Sequence, residues 1–307
     1  MNLRRIECFL AVVDAGTVTA AAAQLHVAQP ALSRQLKTFE RELRLRLFEA
    51  QGARIVLTSA GRALIPSARR LLAEAREFRE ASDVLQTGRV ERLVAATTSA
   101  SLRGFLAPFI ATTTPADPKI IVREFSHFDT SEAVRRGCDF AISPAAPEGD
   151  LNYLLLGRVP LKAFVAPEHS WARAGVHELP ISAFDGVPAL IASRHSASRF
   201  ILDDALSRSG VALSPLTECD DGQTIMALAA AGHGVGFSTD RPLFGIHAIN
   251  VLDETVNPPR PLSLPLHVVW QQGHFAEASI QQLAHRIQRF LVEHEITLDS
   301  GFHADTA

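Results

Sequence analysis

Cysteine is scarce in this 307-residue chain: Cys8, Cys138 and Cys219 are odd in number and far apart. Neither a disulfide framework nor a metal-ligand spacing follows, and their expected role is as small buried hydrophobes. No apolar run of about 18 residues occurs and no secretory leader pattern opens the chain, so no membrane is expected and a cytoplasmic setting is inferred. Lysine is rarer than its charge class suggests, with Lys37, Lys119 and Lys162 the lysines among 30 basic residues, a bias that carries no function. The chain also lacks a catalytic constellation: no nucleophile has an identifiable base. Gly232-His233-Gly234-Val235-Gly236 follows a helix pattern and precedes a strand pattern, the reverse of a phosphate-binding fingerprint, and reads as a helix stop with a tight turn. Asp203-Asp204 and Asp220-Asp221 are paired carboxylates with no His or Cys cluster beside them. No metal, no cofactor and no enzymatic activity are therefore expected.

What is present is a globular composition, 47% hydrophobic and 21% charged, long enough for two or three domains. The net charge of −3 conceals an asymmetry. Residues 1–89 hold 14 Lys+Arg against 9 Asp+Glu, while residues 90–307 hold 16 against 24. A basic head on an acidic body suits a protein that places its head on a polyanion.

The head is organised around Thr17–Leu43. An alanine-rich stretch from Val18 to His26 favours helix, Val27 and Ala28 break it, and Pro30 suits the first turn of a new helix. From there Leu32, Leu36, Phe39 and Leu43 form an apolar stripe, with Gln29, Ser33, Arg34, Lys37 and Arg41 on the remaining surface. Two short helices, a turn, and a second helix that is basic or amide outside describe a helix-turn-helix. Leu3–Ala15 is a preceding helix closed by Gly16. Leu47–Leu57, with a turn at Gly52, reads as a hairpin wing, and Arg54 at its tip is placed for a phosphate or the minor groove. A long helix then runs from about Ser59 to Leu85. Leu64, Leu71, Phe78 and Leu85 recur every seven residues along it, a seam that asks for a partner helix and hence for dimerisation.

From Leu93 strands and helices alternate, implying open, mostly parallel sheets. The strands are placed at Leu93–Ala96, Ile120–Glu124, Phe140–Ser143, Leu161–Val165, Pro188–Ala192, Leu216–Glu218, Val235–Phe237 and Leu266–Trp270. Helices follow Thr97–Ser101 and cover Thr130–Arg136, Ala197–Ser209, Gln223–Ala231 and Phe275–His294.

Ala21-Ala22, Leu25-His26-Val27, Gln29-Pro30-Ala31-Leu32-Ser33, Glu40, Leu43, Leu47-Phe48 and Leu57-Thr58-Ser59-Ala60-Gly61 together resemble the N-terminal domain of the LysR-type transcriptional regulators. The resemblance is close over about the first 65 residues and looser, in layout and length, beyond. It implies an α/β protein overall. A mainly α winged helix-turn-helix occupies residues 1–58 and a linker helix for dimerisation residues 59–88. A two-lobed α/β effector-binding domain similar to periplasmic solute-binding proteins occupies residues 89–296, followed by a tail at 297–307. The lobes are then about 90–160 with 271–295, and 166–263, with crossing strands near 161–165 and 264–270.

For DNA, Gln29 suits adenine N6/N7 and Arg34 guanine or phosphate, while Pro30 opens the helix and Ser33, Lys37 and Arg54 suit the backbone. For an effector, Thr98, Ser99 and Ser101 stand between a strand and a helix start, where exposed N–H groups favour an anion. His127 follows the next strand on that edge. Ser193, Arg194, His195, Ser196 and Ser198 form the equivalent turn in the other lobe, with Arg194 or Arg199 available to neutralise a carboxylate. A small organic acid is the expected effector. The expected partners are double-stranded DNA bearing an interrupted palindrome, RNA polymerase, and further copies of the chain, as a dimer and by the resemblance a tetramer. Three positions depart from the family pattern. Ala28 stands for the usual serine, Arg44 for a frequent glycine and Ala50 for a common arginine, so weaker DNA binding with a shallower salt dependence is expected. A solute-binding protein would account for the lobes but not for residues 1–89, and an α/β enzyme would need catalytic residues that are not found.

Overall fold

The computed structural model describes residues 2–298 apart from 52–53, 88, 127–128 and 148. Two compact units emerge, Met1–Arg89 with Arg135–Gly137, and Val90–Val134 with Cys138–Ala307.

In the first unit, α1 (Leu3–Ala15) is capped by the Asn2 side chain, which accepts from Arg4 N–H, and ends at Gly16 in the left-handed region. Helix α2 (Val18–Gln24) starts from Thr17, whose hydroxyl accepts from Ala20 N–H, and stops before His26. Helix α3 (Gln29–Leu43) carries Pro30 in its first turn, and Ala28 offers it no side-chain cap. The three helices bury Ile6, Phe9 and Leu10, Ala21 and Ala22, and Leu32, Leu36 and Phe39 in one core. The Phe9 ring lies 6.1 Å from that of Phe39 and 5.7 Å from that of Phe48, so one aromatic ties α1 to α3 and to the wing. Strands β1 (Phe48–Gln51) and β2 (Arg54–Leu57) pair antiparallel, Gln51 opposite Arg54. The turn expected at Gly52 lies outside the described residues.

Helix α4 (Ser59–Thr87) is 29 residues long, a rise of roughly 43 Å. Thr58 caps it, its Oγ1 accepting from Gly61 N–H at 3.0 Å. Glycine at 61 is a steric requirement: a Cβ there would lie 2.3 Å from the Leu47 carbonyl oxygen. The expected heptad seam divides. Leu64 and Leu71 are half-buried and pack on the core of this same unit, whereas Phe78 is 77% exposed. The Leu85 side chain lies outside the described residues.

The second unit opens with β3 (Arg92–Thr97), α5 (Ser99–Ser101), a π-helical stretch (Leu102–Leu106) and α6 (Ala107–Ile110). Then come β4 (Lys119–Glu124), α7 (Thr130–Arg135), β5 (Phe140–Ser143) and β6 (Leu151–Pro160). The next series is β7 (Lys162–Val165), α8 (Ser170–Arg173), β8 (Glu178–Pro180), β9 (Ala189–Ala192), α9 (Ala197–Ser209) and β10 (Leu216–Cys219). It continues through α10 (Gly222–Ala230), β11 (Val235–Ser238), β12 (His247–Asp253) and β13 (Arg260–Pro261), before β14 (Ser263–Gln271) and α11 (Glu277–Glu293) close the unit. One sheet has the order β4-β3-β5-β14-β6 and the other β10-β9-β11-β7-β12-β13, with β8 beside β12.

Both faces of the first sheet are covered, as alternation along β3 shows. Leu93 and Ala95 face a core shared with Ile280, Ala284 and Ile287 of α11, while Val94 and Ala96 face Ala133 and Val134. The chain passes from β6 to β7 through Leu161 and from β13 to β14 through Leu262, and Leu161 N–H donates to Leu262 O at 2.7 Å.

Three expectations need correction. The sheets are mixed rather than mostly parallel, because the strands on either side of the crossings pair antiparallel: β14 with β5 and β6, and β7 with β11 and β12. The crossings fall at Leu161 and Leu262, so 161–165 and 264–270 run on into the sheets that follow them. Strands β6 and β12 were not anticipated. In β6 the break-like Gly157 is a bulge site, where the pairing with β14 shifts register between Leu266 and His267.

Candidate functional site: the exposed face of α3 and a cleft between the two sheets

Leu32, Leu36 and Phe39 turn one face of α3 into the core, which leaves Gln29, Pro30, Arg34, Lys37 and Arg41 exposed and Ser33 half-buried. Gln29 Nε2 donates to Ser33 Oγ at 3.4 Å, a long bond that leaves the amide available. Arg41 donates to Thr38 Oγ1 at 3.0 Å and to the Lys37 carbonyl. The carboxylate of Glu40 accepts from Leu47 N–H at 2.7 Å and Phe48 N–H at 3.1 Å. This locks the start of the wing to the helix and spends the acidic charge on backbone donors. Arg54 is the first residue of β2; its side chain lies outside the described residues.

The second unit contains a cleft of about 400 Å³ lined from both sheets. Thr98, Ser99, Ser101 and Ser196 line it as expected, and so do His195 and Ser198. The hydroxyls already have local partners. Thr98 Oγ1 accepts from Ser101 N–H at 3.2 Å, Ser99 donates to Glu124, and the Ser196 and Ser198 hydroxyls are 2.8 Å apart. The helix expected after Thr98 is broken, three α residues followed by a π-helical stretch that brings Arg103, Gly104 and Phe105 to the cleft.

Other expected residues are not brought there. Ser193 and Arg194 do not line the cleft, because Ser193 N–H is paired with Cys219 O at the strand end and Arg194 points to solvent. Arg199 is buried and occupied: it donates to Asp203 at 2.7 Å, to Glu218 at 2.9 Å and to Ala192 O at 3.0 Å. In the first turn of α9, its side chain faces the sheet, where Ala192 O and Glu218 take it, rather than the opening. His127 lies outside the described residues.

Sequence reasoning passed over the charged pairs of the cleft. Arg103, from the first sheet's side, meets Asp221, from the second, at 2.8 Å. Asp221 also caps α10, accepting from Gln223 N–H at 2.7 Å and Thr224 N–H at 3.3 Å. Asp240 sits against Gly222, where a Cβ would fall 1.8 Å from its Oδ2, so that carboxylate depends on glycine at the start of α10. Burial pushes the Asp240 carboxyl above the usual carboxylate range; Arg103 pulls it back and Asp221 adds to the rise. Phe105, Phe125, Ile225, Leu264 and Leu266 supply the apolar wall. Only Asp221 carried a readable signal, as a helix cap four residues before a buried apolar pair.

Among the described residues no group of three or more His, Cys, Asp or Glu could hold a metal ion, and no single helix is long and apolar enough to cross a membrane. The Gly232–Gly236 run is the turn between α10 and β11. Asp203 and Asp204 are bound to Arg199 and Arg208. Cys8 and Cys138 are buried and Cys219 half-buried, all as free thiols.

Two family models match the chain: a bacterial regulatory helix-turn-helix protein of the lysR family over residues 3–62, and a LysR substrate binding domain over residues 86–291. An uncharacterized HTH-type transcriptional regulator from Azotobacter vinelandii is 38% identical over 97 residues, 32% of this chain and 67% of that protein. TfdT, an HTH-type transcriptional regulator from Cupriavidus pinatubonensis, is 40% identical over 24% of this chain and 32% of its own length. The nitrogen assimilation regulatory protein nac of Escherichia coli is 28% identical over 87% of this chain and 88% of that protein. Among solved structures, full-length CbnR complexed with its target DNA superposes with a TM-score of 0.69 at 21% identity, over 94% of this chain and 100% of that one. A Corynebacterium glutamicum OxyR mutant gives 0.59 at 19% identity, over 97% of each. At these identities the structures speak for the fold.

Proposed function

Because the chain belongs to the LysR family, and so is a DNA-binding transcriptional regulator with a substrate-binding domain, we propose that α3 reads an operator while the interlobe cleft reads an effector. Gln29 and Arg34 contact base edges in the major groove, and Ser33, Lys37 and Arg54 contact phosphates. The operator is an interrupted palindrome, read by a dimer that pairs through α4 and assembles further into a tetramer. The observation that carries this reading is the exposed face of α3, with an amide and cations outside and Leu32, Leu36 and Phe39 inside.

The cleft takes a small organic acid, held by the polar turn at Thr98, Ser99 and Ser101 and by Ser196 and Ser198 opposite. A ligand that binds one arrangement of lobes or subunits better than another shifts the population between them. That shift alters the spacing or bending of the operator and so the contact with RNA polymerase. Support comes from the cleft's size and from its lining by both sheets, with an apolar wall and convergent polar groups.

Thermal unfolding of the full chain against a panel of aliphatic and aromatic acids, with amines as the contrasting arm, tests the effector class. A ligand at about 100 times its dissociation constant adds about 2.7 kcal/mol to the stability of the unit that binds it. An acid that stabilises the wild type and no longer stabilises Ser196→Ala or Arg103→Ala supports the reading. Stabilisation by amines alone contradicts it.

A further inference from the structure

We propose that the C-terminal end of α3 and the turn behind it form a second DNA contact, a phosphate-binding groove centred on Arg44. The inference rests on the reading of α3 as the recognition helix and deepens it, because it assigns contacts to Arg41, Arg44 and Arg46.

Arg34, Lys37, Arg41, Arg44 and Arg46 line a shallow surface groove of about 550 Å³. Five cations share it with one carboxylate, Glu40, and that carboxylate is bound to the backbone N–H groups of Leu47 and Phe48. Among the described residues none of the five cations has an acidic partner; Arg41 is held only by Thr38 and the Lys37 carbonyl. Arg4, Arg5 and Arg69 of the same unit are by contrast paired, with Glu7, Glu42 and Asp14. A charge cluster left uncompensated on an exposed face is built for an external polyanion.

Geometry says which part of DNA it meets. Arg34, Lys37 and Arg41 succeed one another three and four residues apart and so form a line along one side of the helix, and Arg44, at the cap that ends it, lines the same groove. With 15 residues, α3 is roughly 22 Å long, while the major groove is about 12 Å wide. A helix that presents its N-terminal residues to the bases therefore carries its last turns out of the groove and over the sugar–phosphate wall.

The backbone at Arg44 adds an independent point. It terminates α3 in the left-handed region, φ 55° and ψ 33°, the place where a helix ordinarily ends in glycine. An arginine there accepts a strained conformation that glycine would adopt freely, which is understandable if the guanidinium is used. The groove also offsets the weakening expected from Ala50.

Arg44→Gly is a favourable test because glycine suits the left-handed site, so the variant folds at least as well as the wild type. Binding of the full chain to a 30-base-pair duplex of random sequence is measured by fluorescence anisotropy at several KCl concentrations between about 50 and 200 mM. Loss of one phosphate contact lowers the slope of log affinity against log salt by about 0.9 and weakens binding roughly eightfold near 0.1 M, uniformly across sequences. Arg44→Gly with Arg46→Ala doubles the change in slope, Arg44→Lys restores most of it, and Arg173→Ala, which removes one charge from α8, leaves it unaltered. A slope for Arg44→Gly equal to that of the wild type, with an unchanged thermal midpoint, overturns the proposal. Should the wild type fail to bind the duplex, the recognition-helix reading falls and takes this one with it. A Gln29→Ala variant that loses sequence preference while keeping the wild-type slope preserves that reading whatever Arg44→Gly shows.

Discussion

The two charged surfaces of this protein follow opposite designs. On α3 and the turn after it, Arg34, Lys37, Arg44 and Arg46 have no acidic partner among the described residues. In the cleft acids outnumber the arginines: Arg103 meets Asp221, Asp220 and Asp240 also line it, and Arg241 reaches the His294 carbonyl. Unbalanced charge attracts a polyanion at long range and makes the affinity fall with salt. Mixed charge gives little net long-range attraction, so selection in the cleft depends on shape, apolar contact and directed hydrogen bonds. One surface suits an abundant ligand of fixed chemistry, the other a scarce ligand of particular shape.

Core truncations separate the two surfaces most forcefully. Phe9 is fully buried between α3 and the wing, and Phe140 is fully buried in the first sheet of the second unit. Each Phe→Ala costs about 3–5 kcal/mol. Phe9→Ala abolishes DNA binding, while Phe140→Ala lowers effector-dependent stabilisation; chemical denaturation and DNA titration of both variants check this. If Phe140→Ala removed DNA binding and Phe9→Ala did not, the division of labour would be wrong.

A smaller effect is expected at Ala28, the N-cap of α3 that makes no side-chain bond. Ala28→Ser adds a hydroxyl that can accept from the first-turn N–H groups, raising stability by about 1 kcal/mol, read from the denaturant midpoint.

The Asp117–Arg286 pair supplies a pH signature confined to the second unit. The Arg286 guanidinium holds the Asp117 carboxyl down to about 2, with help from Thr114. Because the folded value lies below the unfolded one, the pair stabilises above the ordinary carboxylate pKa and that contribution fades as pH falls toward 2. Asp117→Asn therefore flattens the acid limb of the stability profile below about pH 4 and leaves the salt dependence of DNA binding unchanged.

The smallest change in stability belongs to Arg103→Ala. Its pair with Asp221 is exposed on both sides, so the cost is within about 1 kcal/mol, although the substitution opens one polar link across the cleft. Denaturation shows the former, and ligand titration shows whether closure depends on that link.

The head was more legible in the sequence than the cleft, for a physical reason. Helix α1 ends at Gly16, α3 carries its stripe of Leu32, Leu36 and Phe39, and β1 and β2 flank a short turn. All of these are local patterns of a few consecutive residues. The cleft brings together Thr98, Arg103, Ser196, Asp221 and Asp240, which are spread over more than 140 residues. No periodicity links such positions, so only the turns after β3 and β9 could be anticipated. Arg199 shows the limit well. Its place in the first turn of α9, just after the polar turn at 193–196, suggested a ligand contact, yet Glu218 from β10 claims it. Strand β6 was hidden because Gly157 and Pro160 resemble breakers, although one marks a bulge and the other a strand end.

The most direct test of the account is selection of bound sites from a pool of random duplexes by the wild type and by Gln29→Ala. The wild type is expected to enrich an interrupted palindrome, and Gln29→Ala to lose preference at one base pair in each half-site, at about 1–3 kcal/mol per contact. An identical motif from both proteins, or no enrichment by the wild type, would contradict the assignment of α3 as the element that reads DNA.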